Sequence, residues 1–127
     1  MNDFVLAWMA ALRSGKYKQA KLYLRKVDGY CCLGVACELF RQTYGVGEWK
    51  ESEFAGRYDF AVNGQIANSA LPDAVRIALG LADTSGHYAG SRLIFDNDNG
   101  MTFDQIADII ESEPWGLFVV RGEGGLT

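Results

Sequence analysis

All three cysteines of the 127-residue chain, Cys31, Cys32 and Cys37, lie within seven positions, in the stretch GYCCLGVACELF. Cys31 and Cys32 close a short apolar run, and a helical pattern begins directly after them. A thiol at a helix N-terminus has its thiolate stabilised by unpaired N–H groups, the activation used by some nucleophilic cysteines. The chain has one histidine, His87, so the catalytic reading is a thiol hydrolase built on Cys32 and His87. Packing is the stronger expectation. Cysteine is among the most buried residue types and behaves as a small hydrophobe. Cys37 falls between Leu33 and Phe40 on an apolar stripe, and His87 sits in TSGHYAGS with no orienting carboxylate nearby in sequence. A zinc site would need C-C-x4-C ligation, unlike the C-x2-C pairs of structural zinc sites. No metal and no cofactor are expected.

The acidic stretch FDNDNG invites a calcium reading that its spacing defeats. Counting from Asp96 places Gly100 at position 5 and Ala107 at position 12, where a calcium loop needs an oxygen ligand and a glutamate. Asp and Asn are read here as turn formers leading into a helix cap.

The third candidate is basic. Arg13, Lys16, Lys18, Lys21, Arg25 and Lys26 place half of the twelve basic residues within fourteen positions that contain no acid. Tyr17 and Tyr23 are interleaved with them. Cations alternating with aromatic rings suit phosphates and a stacked base, and Ser14-Gly15 offers backbone N–H groups to an anion. The competing reading is a solvated hairpin whose charges discourage edge pairing. Walker, dinucleotide-binding and nucleophile-elbow motifs are absent.

These residues need elements to position them. Asn2 caps a first helix whose stripe is Phe4, Val5, Trp8, Met9 and Leu12, ended by Ser14-Gly15. Leu22–Arg25 and Tyr30–Cys32 flank Asp28-Gly29 and predict a hairpin turning there. From Leu33 the spacing of Ala36, Cys37, Phe40 and Tyr44 predicts a second helix, closed by Gly45. RYDFAVNGQIA predicts a further hairpin about Asn63-Gly64. LPDAVRIALGL predicts a helix with Pro72 in its first position and Gly80 as its stop. DTSGHYAGS reads as loop. Thr102 and Gln105 form a capping-box pair for a last helix with Phe103, Ile106, Ala107 and Ile110 on its inner face. Pro114 ends that helix, WGLFVV suggests a closing strand, and residues 121–127 read as a frayed tail. The expected fold is a single α+β domain, residues 1–127, with short antiparallel hairpins packed on about four helices.

Composition sets the remaining bounds. Hydrophobic residues make up 49% and charged residues 22% of the chain, which permits a packed core and argues against disorder. The N-terminus opens on an acid and carries helix-face spacing, so it reads as mature sequence rather than a signal peptide. No apolar run approaches the ~18 residues of a membrane helix. The expectation is a soluble protein of the reducing cytoplasm with free thiols. Net charge is −4, yet from Asp96 to Glu123 there are seven acids and one base. The chain is electrically lopsided, which is more informative than its total.

Three blocks of the chain, Ala11–Gln19, Cys31–Leu39 and Asn97–Ile110, resemble a family of small proteins from tailed phages and prophages. Its members carry A-L-R-S-G-x-Y-x-Q, C-C-L-G-V-x-C-[DE]-L and N-D-x-G-x-[ST]-F-x-x-I-A-D-x-I. The resemblance implies a setting in the cytoplasm of a bacterial host and supplies no catalytic residues. Small phage proteins of this kind often modulate the host, some by sequestering nucleotide immune signals as homo-oligomers. The expectation is therefore a non-enzymatic phage accessory protein that counters host defence by binding a phosphate-bearing nucleotide. Arg13, Lys16, Lys18 and Arg25 would hold phosphate, and Tyr17 would stack. The alternatives are a protein–protein inhibitor acting on a host protein through the acidic segment Asp96–Glu113, and the Cys32/His87 hydrolase.

Overall fold

The chain begins as its capping chemistry requires. In the computed structural model, which describes residues 1–120, the Asn2 side chain accepts the Val5 N–H at 2.8 Å and starts helix α1, Asp3–Arg13. The predicted stripe of Phe4, Val5, Trp8, Met9 and Leu12 is buried. α1 packs against helix α2, Cys32–Tyr44, and against helix α5, Phe103–Glu111. The Trp8 indole N–H donates to the Cys32 carbonyl at 2.9 Å, pinning α1 to the first turn of α2. The Asn2 amide also donates to the Ala78 carbonyl at 3.0 Å, at the end of helix α3, Asp73–Leu79.

Between α1 and α2 lies the first hairpin, strands β1 (Arg25–Lys26) and β2 (Gly29–Tyr30). It turns at Val27-Asp28, one residue before the predicted Asp28-Gly29. The reason is steric: a Cβ on Gly29 would sit 2.4 Å from the Lys18 carbonyl oxygen. Gly29 lets β2 lie against residues 18–20, where Tyr30 N–H donates to the Lys18 carbonyl and Ala20 N–H to the Tyr30 carbonyl, each at 2.8 Å. The strand predicted from Leu22 is cut short because Leu22 takes a left-handed φ of 77°.

Strands β3 (Glu48–Glu51), β4 (Arg57–Val62) and β5 (Gln65–Ala67) complete the sheet. β4 is its centre: β3 pairs along one edge, while β1 and β5 share the other, all antiparallel. The β4–β5 hairpin turns at Asn63-Gly64 as predicted, both residues with positive φ. β3 carried no readable signal because only Trp49 of its four residues turns inward.

DTSGHYAGS is not loop throughout. It contains a second hairpin, β6 (His87–Tyr88) and β7 (Ser91–Arg92), turning at Ala89-Gly90. FDNDNG is not a turn either: helix α4, Leu93–Asp98, runs through it and buries Asp96 and Asn97. The capping box of α5 is present, Thr102 N–H donating to Gln105 Oε1 at 2.9 Å and Gln105 N–H to Thr102 Oγ1 at 3.2 Å. In place of a closing strand, residues 114–117 form turns, and Phe118 makes one isolated bridge to Leu81. The result is a single α+β unit with five helices and small antiparallel sheets among the described residues. The expected tail 121–127 lies outside them. No helix among the described residues is long and apolar enough to cross a membrane.

Candidate functional site

The cysteines belong to the core. Cys31 precedes α2 as its N-cap, and its Sγ accepts the Gly34 N–H at 3.4 Å. This is the helix-start contact expected to activate a thiol. Here burial outweighs it: Cys31 is pushed up to about 12, and Cys32 and Cys37 are raised well above the ordinary thiol value by the same desolvation. The Cys32 Sγ lies 3.7 Å from the Leu93 carbonyl. His87 is exposed on β6, beside a depression of about 380 Å³ that it lines with Ser91, Arg92 and Phe95. Cys32 is fully buried whereas His87 is exposed, and among the described residues no hydrogen bond joins them. Among the described residues, no group of three His, Cys, Asp or Glu side chains is placed to hold a metal.

The motif CCLG has a different purpose. A Cβ on Gly34 would sit 1.7 Å from the Leu24 carbonyl oxygen, so the first turn of α2 lies directly on that backbone. The Leu24 carbonyl accepts the Cys31 N–H at 3.1 Å. A glycine inside an apolar helical run is the signal of such an approach.

The acidic stretch is a structural clasp. Asn97, fully buried, donates to the Ala20 carbonyl at 2.8 Å and accepts from the Cys32 N–H at 3.2 Å and from Gln19 Nε2 at 2.8 Å. Gln19 Nε2 also reaches the Met101 carbonyl at 2.8 Å. Asp98 Oδ1 accepts the Leu22 N–H at 2.8 Å and so holds that residue at its positive φ. Asp96 accepts from the Tyr88 and Ser91 hydroxyls. Desolvation and this carboxylate together push the Tyr88 phenol up to about 12. The acidic C-terminal segment is thus partly consumed inside the molecule rather than presented to a partner.

The predicted phosphate site divides. The Arg13 guanidinium lies 2.6 Å from Asp108 and 2.8 Å from Glu111 on α5. The hydrogen bonds it donates to those two carboxylates raise its pKa further. An arginine engaged with two acids is less available to a phosphate than a free one. Arg13, Gly15 and Tyr17 do border a shared depression of about 260 Å³, but Asp104 stands on its rim. The Lys16 N–H is taken by Ser14 Oγ at 3.1 Å, so the Ser14-Gly15 turn does not offer it to an anion. Lys16 and Lys18 are exposed, and among the described residues neither forms an ion pair or lines that depression.

Tyr17 and Arg25 are brought together, through Tyr30. The Tyr17 ring meets Tyr30 edge to face with centroids 5.5 Å apart, and Tyr30 meets Trp49 the same way at 5.9 Å. The Arg25 guanidinium lies over three rings, 5.4 Å from Tyr30, 5.5 Å from Trp49 and 4.3 Å from Tyr58. β-Register explains the grouping: Arg25 is opposite Tyr30 on β2 and Tyr58 on β4, so the three side chains share one face. Below them the buried Glu38 of α2 accepts from Trp49 Nε1 at 2.9 Å, Gln42 at 2.7 Å and both Nε and Nη2 of Arg41, at 3.0 and 2.7 Å. Burial alone would raise the Glu38 carboxyl; these hydrogen bonds prevail and hold it below its ordinary value. Arg41 is thereby paired, whereas Arg25 has no acid partner among the described residues. Trp49, Tyr58 and Tyr30 were not singled out by sequence, since only the strand register assembles them.

By its fold the chain is a small α+β domain with buried thiols and a half-buried arginine–aromatic face. It matches the family described as Domain of unknown function (DUF8296) over residues 1–114 and belongs to that family. Comparisons with curated proteins and with solved structures found no match.

Proposed function

We propose that the protein acts by binding rather than by catalysis, and that its ligand is a phosphate-bearing nucleotide taken by the face around Arg25. The observation that carries this reading is the Arg25 guanidinium, free of any carboxylate among the described residues and set among Tyr30, Trp49 and Tyr58, with Tyr17 on the far side of Tyr30. A planar cation beside half-exposed rings suits both parts of a nucleotide, the phosphate and the stacked base. Lys16 and Lys18 extend the positive field beside it. In the phage setting suggested by the motif resemblance, such a protein would withhold a nucleotide immune signal from its host receptor, as a homo-oligomer in the host cytoplasm. The inhibitor reading is less favoured because Asp96 is buried and Asp108 and Glu111 are engaged by Arg13.

The test is calorimetric titration with mono-, di- and cyclic nucleotides, alongside native mass spectrometry of the protein from bacterial cytosol. Arg25→Ala with Tyr17→Ala should weaken nucleotide binding at least tenfold, and Arg13→Ala should leave it unchanged. A protein that binds no member of the panel, or an Arg25→Ala/Tyr17→Ala variant that binds normally, would overturn the reading.

A further inference from the structure

On the opposite face of the same sheet, Arg57 presents a chemical anomaly. Its guanidinium carbon lies 4.1 Å from the ring centroid of Tyr23 and 4.4 Å from that of Phe54, so the cation is held between two aromatic rings. Its Nε is buried and is the one buried side-chain polar atom without a hydrogen-bond partner among the described residues. A buried donor that has given up water normally finds an acceptor, and an unpaired one calls for a reason. Lys26 lies directly across from Arg57 on β1, so the two cations share a face. Among the described residues neither forms an ion pair. Asp59, two positions further along β4 on that face, is opposite Lys50 instead.

We infer that Arg57 and Lys26 form a second anion site, separate from the Arg25 face, which takes the phosphoryl group of a phosphate ester. The two rings fix the guanidinium plane, and the fork of Nε–H and Nη–H donors matches two oxygens of a tetrahedral anion. The adjacent ammonium matches the second negative charge. Phe54, 59% exposed in the β3–β4 connection, keeps one face of the guanidinium covered near the surface while its N–H donors point out in the plane of the fork. Arg57 was outside the basic stretch read from the sequence, and only the β1–β4 register brings Lys26 to it.

The inference does not depend on nucleotide binding, and its probe carries no base. Inorganic phosphate and pyrophosphate are titrated into the ¹⁵N-labelled protein at constant ionic strength set with chloride. One arginine Nε–H resonance, identified by its loss in Arg57→Lys, should move downfield and saturate. Arg57→Lys keeps the charge but loses the planar fork, and should bind pyrophosphate at least tenfold more weakly; Lys26→Ala should bind a few-fold more weakly, and Arg92→Ala, at an exposed cation of the β6–β7 hairpin, within twofold of the parent. An Nε–H resonance unmoved at saturating phosphate would overturn the inference, as would equal binding by Arg57→Lys. If Arg57→Lys fails to fold, nuclear Overhauser contacts from the Nε–H to the Tyr23 and Phe54 rings assign the resonance, so the parent spectrum still decides the matter.

Discussion

Asn97 Oδ1 accepts the backbone N–H of Cys32 at 3.2 Å across 65 positions of sequence. This joins the buried end of α4 to the first turn of α2. The same amide group reaches Gln19 and the Ala20 carbonyl, so the three sequence blocks Ala11–Gln19, Cys31–Leu39 and Asn97–Ile110 meet at one side chain. The three blocks thus interlock at Asn97, and their buried contacts there are structural.

Asn97→Ala should destabilise the fold by about 3 kcal/mol, because it strands the Cys32 N–H and the Ala20 carbonyl in the core, and each orphan costs roughly 1–3 kcal/mol. Asn97→Asp should be at least as damaging, since it places a carboxylate oxygen against the Ala20 carbonyl oxygen. Urea denaturation measures both. A loss below about 1 kcal/mol would show that water or rearrangement replaces the clasp.

Gly34→Ala should cost about 3 kcal/mol or more, the upper end for overpacking, because its Cβ meets backbone that cannot rotate aside. Gly15→Ala, where the added Cβ meets nothing, provides the contrast. Its cost should come only from its positive φ, about 1 kcal/mol. Thermal midpoints of the two variants should therefore separate clearly, and equal midpoints would refute the close approach at Leu24.

The buried thiols predict a loss of stability in alkali. Cys31 moves from an ordinary value of 9.0 to about 12 in the fold. Below pH 9 both states hold the proton, and the stabilising contribution is fully present. Above pH 9 the unfolded chain releases the proton while the folded chain keeps it, so stability falls as pH rises toward 12, by up to ~1.4 kcal/mol per pH unit for each such thiol. Cys31→Ser keeps an N-cap acceptor and removes one titrating thiol. Urea midpoints measured from pH 8 to pH 10.5 should fall less steeply for Cys31→Ser than for the parent. Parallel curves would mean that Cys31 is not the buried thiol described.

Arg13→Ala should leave ligand binding intact and produce a small loss of stability that fades in molar salt, as expected of an exposed ion pair joining α1 to α5. A large loss of nucleotide affinity in this variant, with stability unchanged, would return Arg13 to the binding site.

Helices α1, α2 and α5 were legible because apolar spacing and capping residues act locally: Asn2 and Thr102 make the cap contacts their types predict. α4 was not, since Asp96, Asn97 and Asp98 favour turns by themselves and become helical only through partners on other elements. Arg13's ion-pair partners could not be read from sequence for the same reason, its acids lying 95 and 98 positions away. Tyr17 and Arg25 lie close in the chain and both meet Tyr30 in the fold, while the placement of Trp49, Tyr58 and Arg57 required strand register that alternation alone does not fix.

The clasp at Asn97 has a consequence for biosynthesis. A ribosome releases the chain from its N-terminus, so the hairpin at Arg25–Tyr30 and the cysteine-bearing helix emerge before the residue that locks them. Until residues 93–97 have been translated, the first turn of α2 lacks a partner for its Cys32 N–H, and the Cys32 thiol lacks the Leu93 carbonyl it lies against. The three thiols are buried only once the fold is complete, so during synthesis they are more open to solvent than in the finished protein.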